Sequence, residues 1–237
     1  VNSSGVLQWS REIGENNQAQ TGALAINPVT GDLIYVYRDR YVLDAGNQDA
    51  AVIVSLDPSN GQTINWKTGA RAGGSGKSFM PVSLDCDADG NIYIGVATYL
   101  SGTGGSRYSW GLSMVMSLDK DGDFLWANAF DPDGKDSSGG QDYYSAQLKH
   151  CSYDKYTHTL LIMEELNRTN GDKWAGFARV PADGSLSSAT VEHSIGYSTH
   201  AVCYFPVSNA ANLAAAASDN IYVANYTHTL YNSALSN

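Results

Sequence analysis

Asp85, Asp87 and Asp89, ahead of Gly90, spell D-x-D-x-D-G. Alternate carboxylates on a tight loop can converge on Ca²⁺, with the glycine permitting the sharp bend. A full EF-hand loop also needs an acidic residue at its twelfth position, and that place holds Val96; the ninth holds Tyr93. The same string serves as a plain β-turn in which an Asp bonds its own backbone. The turn is the expected role, with its carboxylates largely in water, and Asp85, Asp87 and Asp89 are the metal candidates if Ca²⁺ binds. Asp131, Asp133 and Asp136 form a second, looser acidic loop. No cofactor is otherwise expected.

Other reactive residues fall short of a constellation. Gly76-Lys77-Ser78 ends like a phosphate loop, but the motif's first glycine would stand at Arg71, and no helix is expected to follow. The five histidines, His150, His158, His193, His200 and His228, form neither HxxxH nor HExxH. No G-x-S-x-G elbow occurs. Glu164 and Glu165 are adjacent, so on a strand they face opposite sides. Cys86, Cys151 and Cys203 are odd in number and are expected to be buried thiols. Asn2, Asn167 and Asn225 open sequons of a frequency that chance supplies. Aromatic residues in polar segments offer faces for sugar stacking: Tyr99, Tyr108, Trp110, Tyr143 and Tyr144. Trp110 and Trp174 are expected in irregular segments between strands.

The elements that would position these residues show themselves as a repeat. An apolar strand ends in a turn, a glycine follows, and then comes a strand containing Trp. Val1–Gly5 leads to Trp9, Leu56–Gly61 to Trp66, and Leu118–Gly122 to Trp126. Val180–Gly184 leads to Leu186, without the Trp, and Leu235 starts the motif again. The period is roughly 60 residues, long for a propeller blade but of that class. A second turn precedes a Tyr-bearing strand in each unit: Asn27–Asp32 before Leu33–Tyr37, Asp87–Asn91 before Ile92–Ile94, Tyr153–Tyr156 before Thr159–Ile162, and Ser218–Asn220 before Ile221–Val223. First strands are expected at Ala23–Ile26, Met80–Leu84, Tyr144–Leu148 and Ala201–Phe205. Third strands are expected at Ala51–Leu56, Ser113–Leu118, Ala175–Val180 and about Thr229–Leu235. The fold predicted is all-β, a β-propeller of four-stranded antiparallel blades with four repeats. Trp9, Trp66 and Trp126 are expected to wedge, largely buried, between adjacent sheets.

These stretches, above all Ser55–Gly61 with Trp66, Asp87–Tyr93, and Met116–Gly122 with Trp126, resemble degenerate propeller repeats of the pyrroloquinoline-quinone-like and SBBP types. Such repeats occur in extracellular surface proteins and phage virion proteins. The resemblance implies fold more than function. Quinone-dehydrogenase chemistry is not carried over, since neither a larger ring nor a cofactor site is visible. The chain, residues 1–237, is read as one propeller domain, its terminal strands closing a four-bladed ring, or as a four-blade portion of a larger propeller.

Hydrophobic residues make up 43% of the 237 and charged residues 16%, enough apolar matter for a core. A net charge of −10 without a basic stripe argues against nucleic acid. No run approaches the roughly 18 apolar residues of a membrane span. The opening Val1–Gly5 reads as the middle of something longer. The function expected is a non-enzymatic structural or adhesive component of an extracellular or virion assembly, partnered by other protein subunits. The alternatives are a lectin-like module for surface glycans and an enzyme with its site at the central mouth.

Overall fold

The computed structural model describes residues 4–13, 20–39, 50–71, 77–100, 110–130, 143–168, 173–185, 190–197, 220–224 and 230–234. The architecture is all-β, in consecutive antiparallel sheets. Sheet one runs β1 (Gln20–Ile26), β2 (Leu33–Asp39), β3 (Ala50–Leu56), β4 (Ile64–Arg71). Sheet two is β5 (Lys77–Cys86), β6 (Ile92–Leu100), β7 (Trp110–Leu118), β8 (Phe124–Phe130). Sheet three is β9 (Tyr143–Asp154), β10 (Thr159–Arg168), β11 (Lys173–Pro181), β12 (Thr190–Tyr197). A hairpin of β13 (Asn220–Ala224) and β14 (Leu230–Ala234) follows. The described residues do not close into a ring.

Each meander has two unlike ends. The turns from first to second strand and from third to fourth are tight. They carry a left-handed residue where the chain reverses: Gly31, Gly61, Gly90, Gly122, Gly184 and, in sheet three, His158 at φ 55°. The other connections, 40–49, 72–76, 101–109, 131–142 and 169–172, leave from the opposite end, and their structure lies outside the described residues.

The alternation of apolar residues packs neighbouring sheets face to face, and sheet two on both of its faces. Ile34, Val36, Ala51 and Ile53 of sheet one meet Phe79, Ile92, Ile94, Val96, Met116 and Leu118 of sheet two. The other face of sheet two, through Tyr93 and Val115, meets Leu148, Cys151, Leu160, Ile162 and Val180 of sheet three. Fully burying each such aliphatic side chain is worth about 1.5–3 kcal/mol. Two side chains of β5 also reach across. Ser83 Oγ accepts from Cys151 N at 2.9 Å and Asp85 Oδ2 from Tyr153 N at 2.8 Å, satisfying the open edge of β9.

Several expectations are corrected in detail. The strands outrun their apolar cores, so Trp110 begins β7 opposite Leu100, and Trp174 lies in β11 opposite Leu166. The ladders continue there through mixed apolar and polar residues that carry no alternation signal. The Trp place of sheet three, opposite Arg179, belongs to Thr190, because β12 starts later than Leu186. Trp9, Trp66 and Trp126 hold equivalent places but are half-buried, sitting at the outer edge rather than deep between sheets. Lys77 opens a strand. Ala201–Phe205 lies outside the described residues.

Candidate functional site

The tight-turn end gathers most of the chain's patterned carboxylates, and its geometry commits them to the backbone. Asp57 Oδ1 accepts from Ser59 N at 2.8 Å, Asp119 Oδ1 from Asp121 N and Asp123 N at 2.9 Å, and Asp154 Oδ1 from Tyr156 N at 2.9 Å. Asp183 Oδ1 accepts from Ser185 N at 2.8 Å. Hydrogen bonds to Ser59 and Ser185 hold the Asp57 and Asp183 carboxyls below the ordinary range. These are turn-capping side chains.

Asp87 is the most heavily engaged. It accepts from Asp89 N at 3.0 Å, Asn91 N at 2.8 Å, Asn91 Nδ2 at 2.8 Å and the Tyr93 hydroxyl at 2.8 Å, and it is only 6% exposed. Burial, and the bond to Asp87, push the Tyr93 phenol well above its usual range. Asp85 is half-buried and turned to β9, taking Tyr153 N and also Cys86 N at 2.9 Å. Burial raises its carboxyl above the usual value. Asp89 is exposed. The expectation that these carboxylates sit mostly in water thus holds for Asp89 alone. The Asp85 and Asp87 carboxylates are each taken up by hydrogen bonds, and among the described residues no group of three His, Cys, Asp or Glu is placed to hold a metal ion. Asp131, Asp133 and Asp136 lie outside the described residues.

The thiols are inert in this setting. Cys86 and Cys151 are free. Burial, aided by Asp85 and Asp87, pushes the Cys86 thiol up to about 12, and burial raises Cys151 further. His150, on β9, is pushed down by burial. Cys203 lies outside the described residues.

Strand direction places the aromatic candidates at the opposite end of the sheets. Tyr99 is the penultimate residue of β6, opposite Gly111, and Trp110 opens β7 opposite Leu100. Tyr143 and Tyr144 open β9, Tyr143 standing opposite Arg168. Strand direction puts all four at the connection end of sheets two and three. Trp174, near the start of β11, and Tyr197, the last residue of β12, share that end. Tyr197 was not singled out from sequence; its signal is an aromatic at a strand end beside a connection. Tyr108 lies outside the described residues.

One cleft, of about 360 Å³, lies elsewhere, on the outer face of sheet one. Trp9, Arg11, Ile13, Leu24, Leu33, Tyr35 and Leu56 line it. Arg11 Nη1 is already committed to Gly61 O at 2.9 Å and Gln62 O at 2.7 Å.

No family model matches this chain, and no curated protein sequence does. Among solved structures, the chain is similar to the Hadza microbial sialidase Hz136, with TM-score 0.55 and 16% identity. The match covers 78% of this chain and 39% of the sialidase chain, so less than half of that protein is represented. At this identity the likeness is one of fold. It still corrects the expectation of a non-enzymatic chain, since an enzyme is built on the same sheet arrangement. Loops on a shared scaffold can carry chemistry without a motif in the strands and turns.

Proposed function

We propose that this chain is a set of β-propeller blades that recognises carbohydrate at the connection end of its sheets. The observation that carries the reading is the convergence of Tyr99, Trp110, Tyr143 and Tyr144 at one end of sheets two and three. Aromatic rings present flat apolar faces with a polar edge, which suits the alternating apolar and hydroxyl surfaces of a sugar ring. The opposite end has its carboxylates consumed by turns. Fold likeness to a sialidase agrees with a carbohydrate ligand. Blade-like stacking of successive four-stranded sheets agrees with a propeller of the degenerate-repeat kind. An extracellular or virion-surface setting, where glycans are met, belongs to the same proposal.

A glycan array probed with the full chain, followed by titration of the retained glycans, tests it. Trp110→Ala and Tyr99→Ala should each weaken binding about tenfold, the order of one lost stacking contact. Trp66→Phe, at the far edge, should leave affinity unchanged. Absence of binding at millimolar glycan, or equal loss in all three variants, would overturn the reading. Sugar released from a bound glycan would report turnover in the same experiment.

A further inference from the structure

The two interfaces between sheets use the same places with unlike residues. Where sheets one and two meet, Trp66, Ile34 and Cys86 share one apolar cluster. The corresponding places between sheets two and three hold Trp126, Tyr93 and Tyr153. The ladders fix the correspondence. Ile92 stands opposite Cys86 as Leu160 stands opposite Tyr153, and Tyr93 follows Ile92 as Ile34 follows Leu33. A third departure sits in the turn between β9 and β10. Gly31 and Gly90, both at positive φ, stand two residues before Leu33 and Ile92, whereas His158, at φ 55°, stands two before Leu160. A side chain with a Cβ is strained in that conformation and glycine is not.

These departures meet. Tyr93 and Tyr153 are stacked, with ring centroids 5.6 Å apart and planes 10° apart. Trp126 lies 6.3 Å from Tyr93, and His158 lies 6.3 Å from Tyr153. The rings thus run from the last strand of sheet two, through buried Tyr93, to an exposed turn of sheet three. Each phenol has its own proton acceptor. The Tyr93 hydroxyl donates to Asp87 Oδ2 at 2.8 Å. The Tyr153 hydroxyl lies 2.7 Å from His158 Nδ1 and donates to it in the tautomer that leaves Nδ1 bare. Both distances lie within the reach of direct proton transfer. Packing alone asks for none of this, since Ile34 and Cys86 fill the same places with neither phenol nor base.

A phenol gives up an electron readily only when its proton leaves too, because the phenol radical cation is a strong acid. We propose that Tyr153, with His158 as its base, is a redox-active tyrosine that receives oxidising equivalents from Trp126 through Tyr93. The co-reactant is a one-electron oxidant of the radical class that meets the half-buried indole of Trp126. It gains one electron and leaves an indole radical cation, which takes an electron from Tyr93, which in turn takes one from Tyr153. While Tyr93 is oxidised, Asp87 holds its phenolic proton and then returns it. At Tyr153 the O–H bond breaks and an N–H bond forms at His158 Nδ1, leaving a neutral phenoxyl radical beside an imidazolium. A one-electron reductant in solution, such as ascorbate, restores the electron, and the imidazolium restores the proton. His158 is exposed, so the oxidising equivalent ends at the surface rather than in the core. This activity is independent of the glycan reading.

Azide radicals made by pulse radiolysis oxidise tryptophan ahead of tyrosine and suit the full chain. Tryptophanyl absorbance should convert to tyrosyl absorbance at a rate independent of protein concentration. A nitroso spin trap should then mark Tyr153 in peptide mass maps. Trp126→Phe and Tyr93→Phe should each lose the Tyr153 adduct. His158→Gly gives the turn the residue that Gly31 and Gly90 supply elsewhere; it should keep the urea midpoint of the unmodified chain and still lose the adduct. His158→Gln, which retains an acceptor without a comparable base, should lose it as well. Tyr156, in the same turn and 50% exposed, is the tyrosine that access alone would choose. Marking of Tyr156 in preference to Tyr153 would overturn the proposal. So would a Tyr153 adduct that persists in Tyr93→Phe or in both His158 variants.

Discussion

At the scale of single residues, Asp85 separates what a carboxylate does for packing from what its charge costs. Its Oδ2 accepts Tyr153 N at 2.8 Å across the sheet interface, yet burial raises its pKa above the ordinary 3.8. A raised carboxyl pKa means that the folded state holds the proton more tightly than the unfolded one. The group's stabilising contribution is therefore full below the unfolded value and is lost as pH rises through the folded value. Asp85→Asn keeps an acceptor and removes the charge. Relative to the unmodified chain it should gain stability across that window and match or exceed it at neutral pH. Asp85→Ala leaves Tyr153 N without its acceptor and should cost about 1–3 kcal/mol. Urea midpoints between about pH 4 and pH 7 check both, and equal losses in the two variants at neutral pH would refute the division. None of this was legible in the sequence. D-x-D-x-D-G reads as a turn or a calcium loop, and the role of Asp85 depends on a backbone group on β9, far along the chain. Asp87 was half legible: its turn is readable, but its bond to the Tyr93 hydroxyl is not.

At the scale of elements, a tryptophan repeatedly contacts the next sheet's turn glycine and ties neighbouring sheets together. Gly122 has φ 88°, and a Cβ placed on it would meet Trp66 Cε3 at 2.7 Å. Gly31 has φ 76° with open space around it. Alanine at Gly31 therefore faces only the left-handed backbone penalty, about 1–2 kcal/mol. Alanine at Gly122 faces that penalty and the displacement of the indole, a further 1–3 kcal/mol or so. Thermal or urea unfolding of the two variants should separate them by that margin. In a Trp66→Ala background the excess at Gly122 should vanish; persistence of the full excess would deny the contact. Elements were the most legible level, because Asp or Asn before Gly, apolar alternation and Trp recur in phase. Strand ends were not legible. Trp110 and Trp174 pair with Leu100 and Leu166 at ladder ends flanked in sequence by Gly111 and Lys173, and Thr190 takes a Trp place that no composition signal marks. The same limit applies to the candidate site. Its aromatic residues could be named from sequence, but their convergence at one end follows only from strand direction.

At the scale of the whole molecule, the middle sheet buries one face on the sheet before it and the other on the sheet after it. Sheet two is covered on both sides, by Ile34, Val36 and Ile53 from one neighbour and by Leu148, Cys151 and Leu160 from the other. In such a linear stack, stability is a sum of sheet terms and nearest-neighbour interface terms. A cavity in the middle sheet should therefore spread in both directions, while one on an outer face should stay local. Ile94 is fully buried in the interface between sheets one and two. Ile94→Ala should cost about 2–5 kcal/mol and raise amide exchange in β2 and β10 as well as in β6. Leu161, on β10, faces away from sheet two and is half-buried. Leu161→Ala should cost less and raise exchange chiefly in β9–β11, leaving β2 unchanged. Hydrogen exchange read strand by strand checks the pattern. If Ile94→Ala loosened β6 while β2 and β10 kept their protection, the sheets would be independent units, and the interfaces would contribute little to holding the loop-bearing end in place.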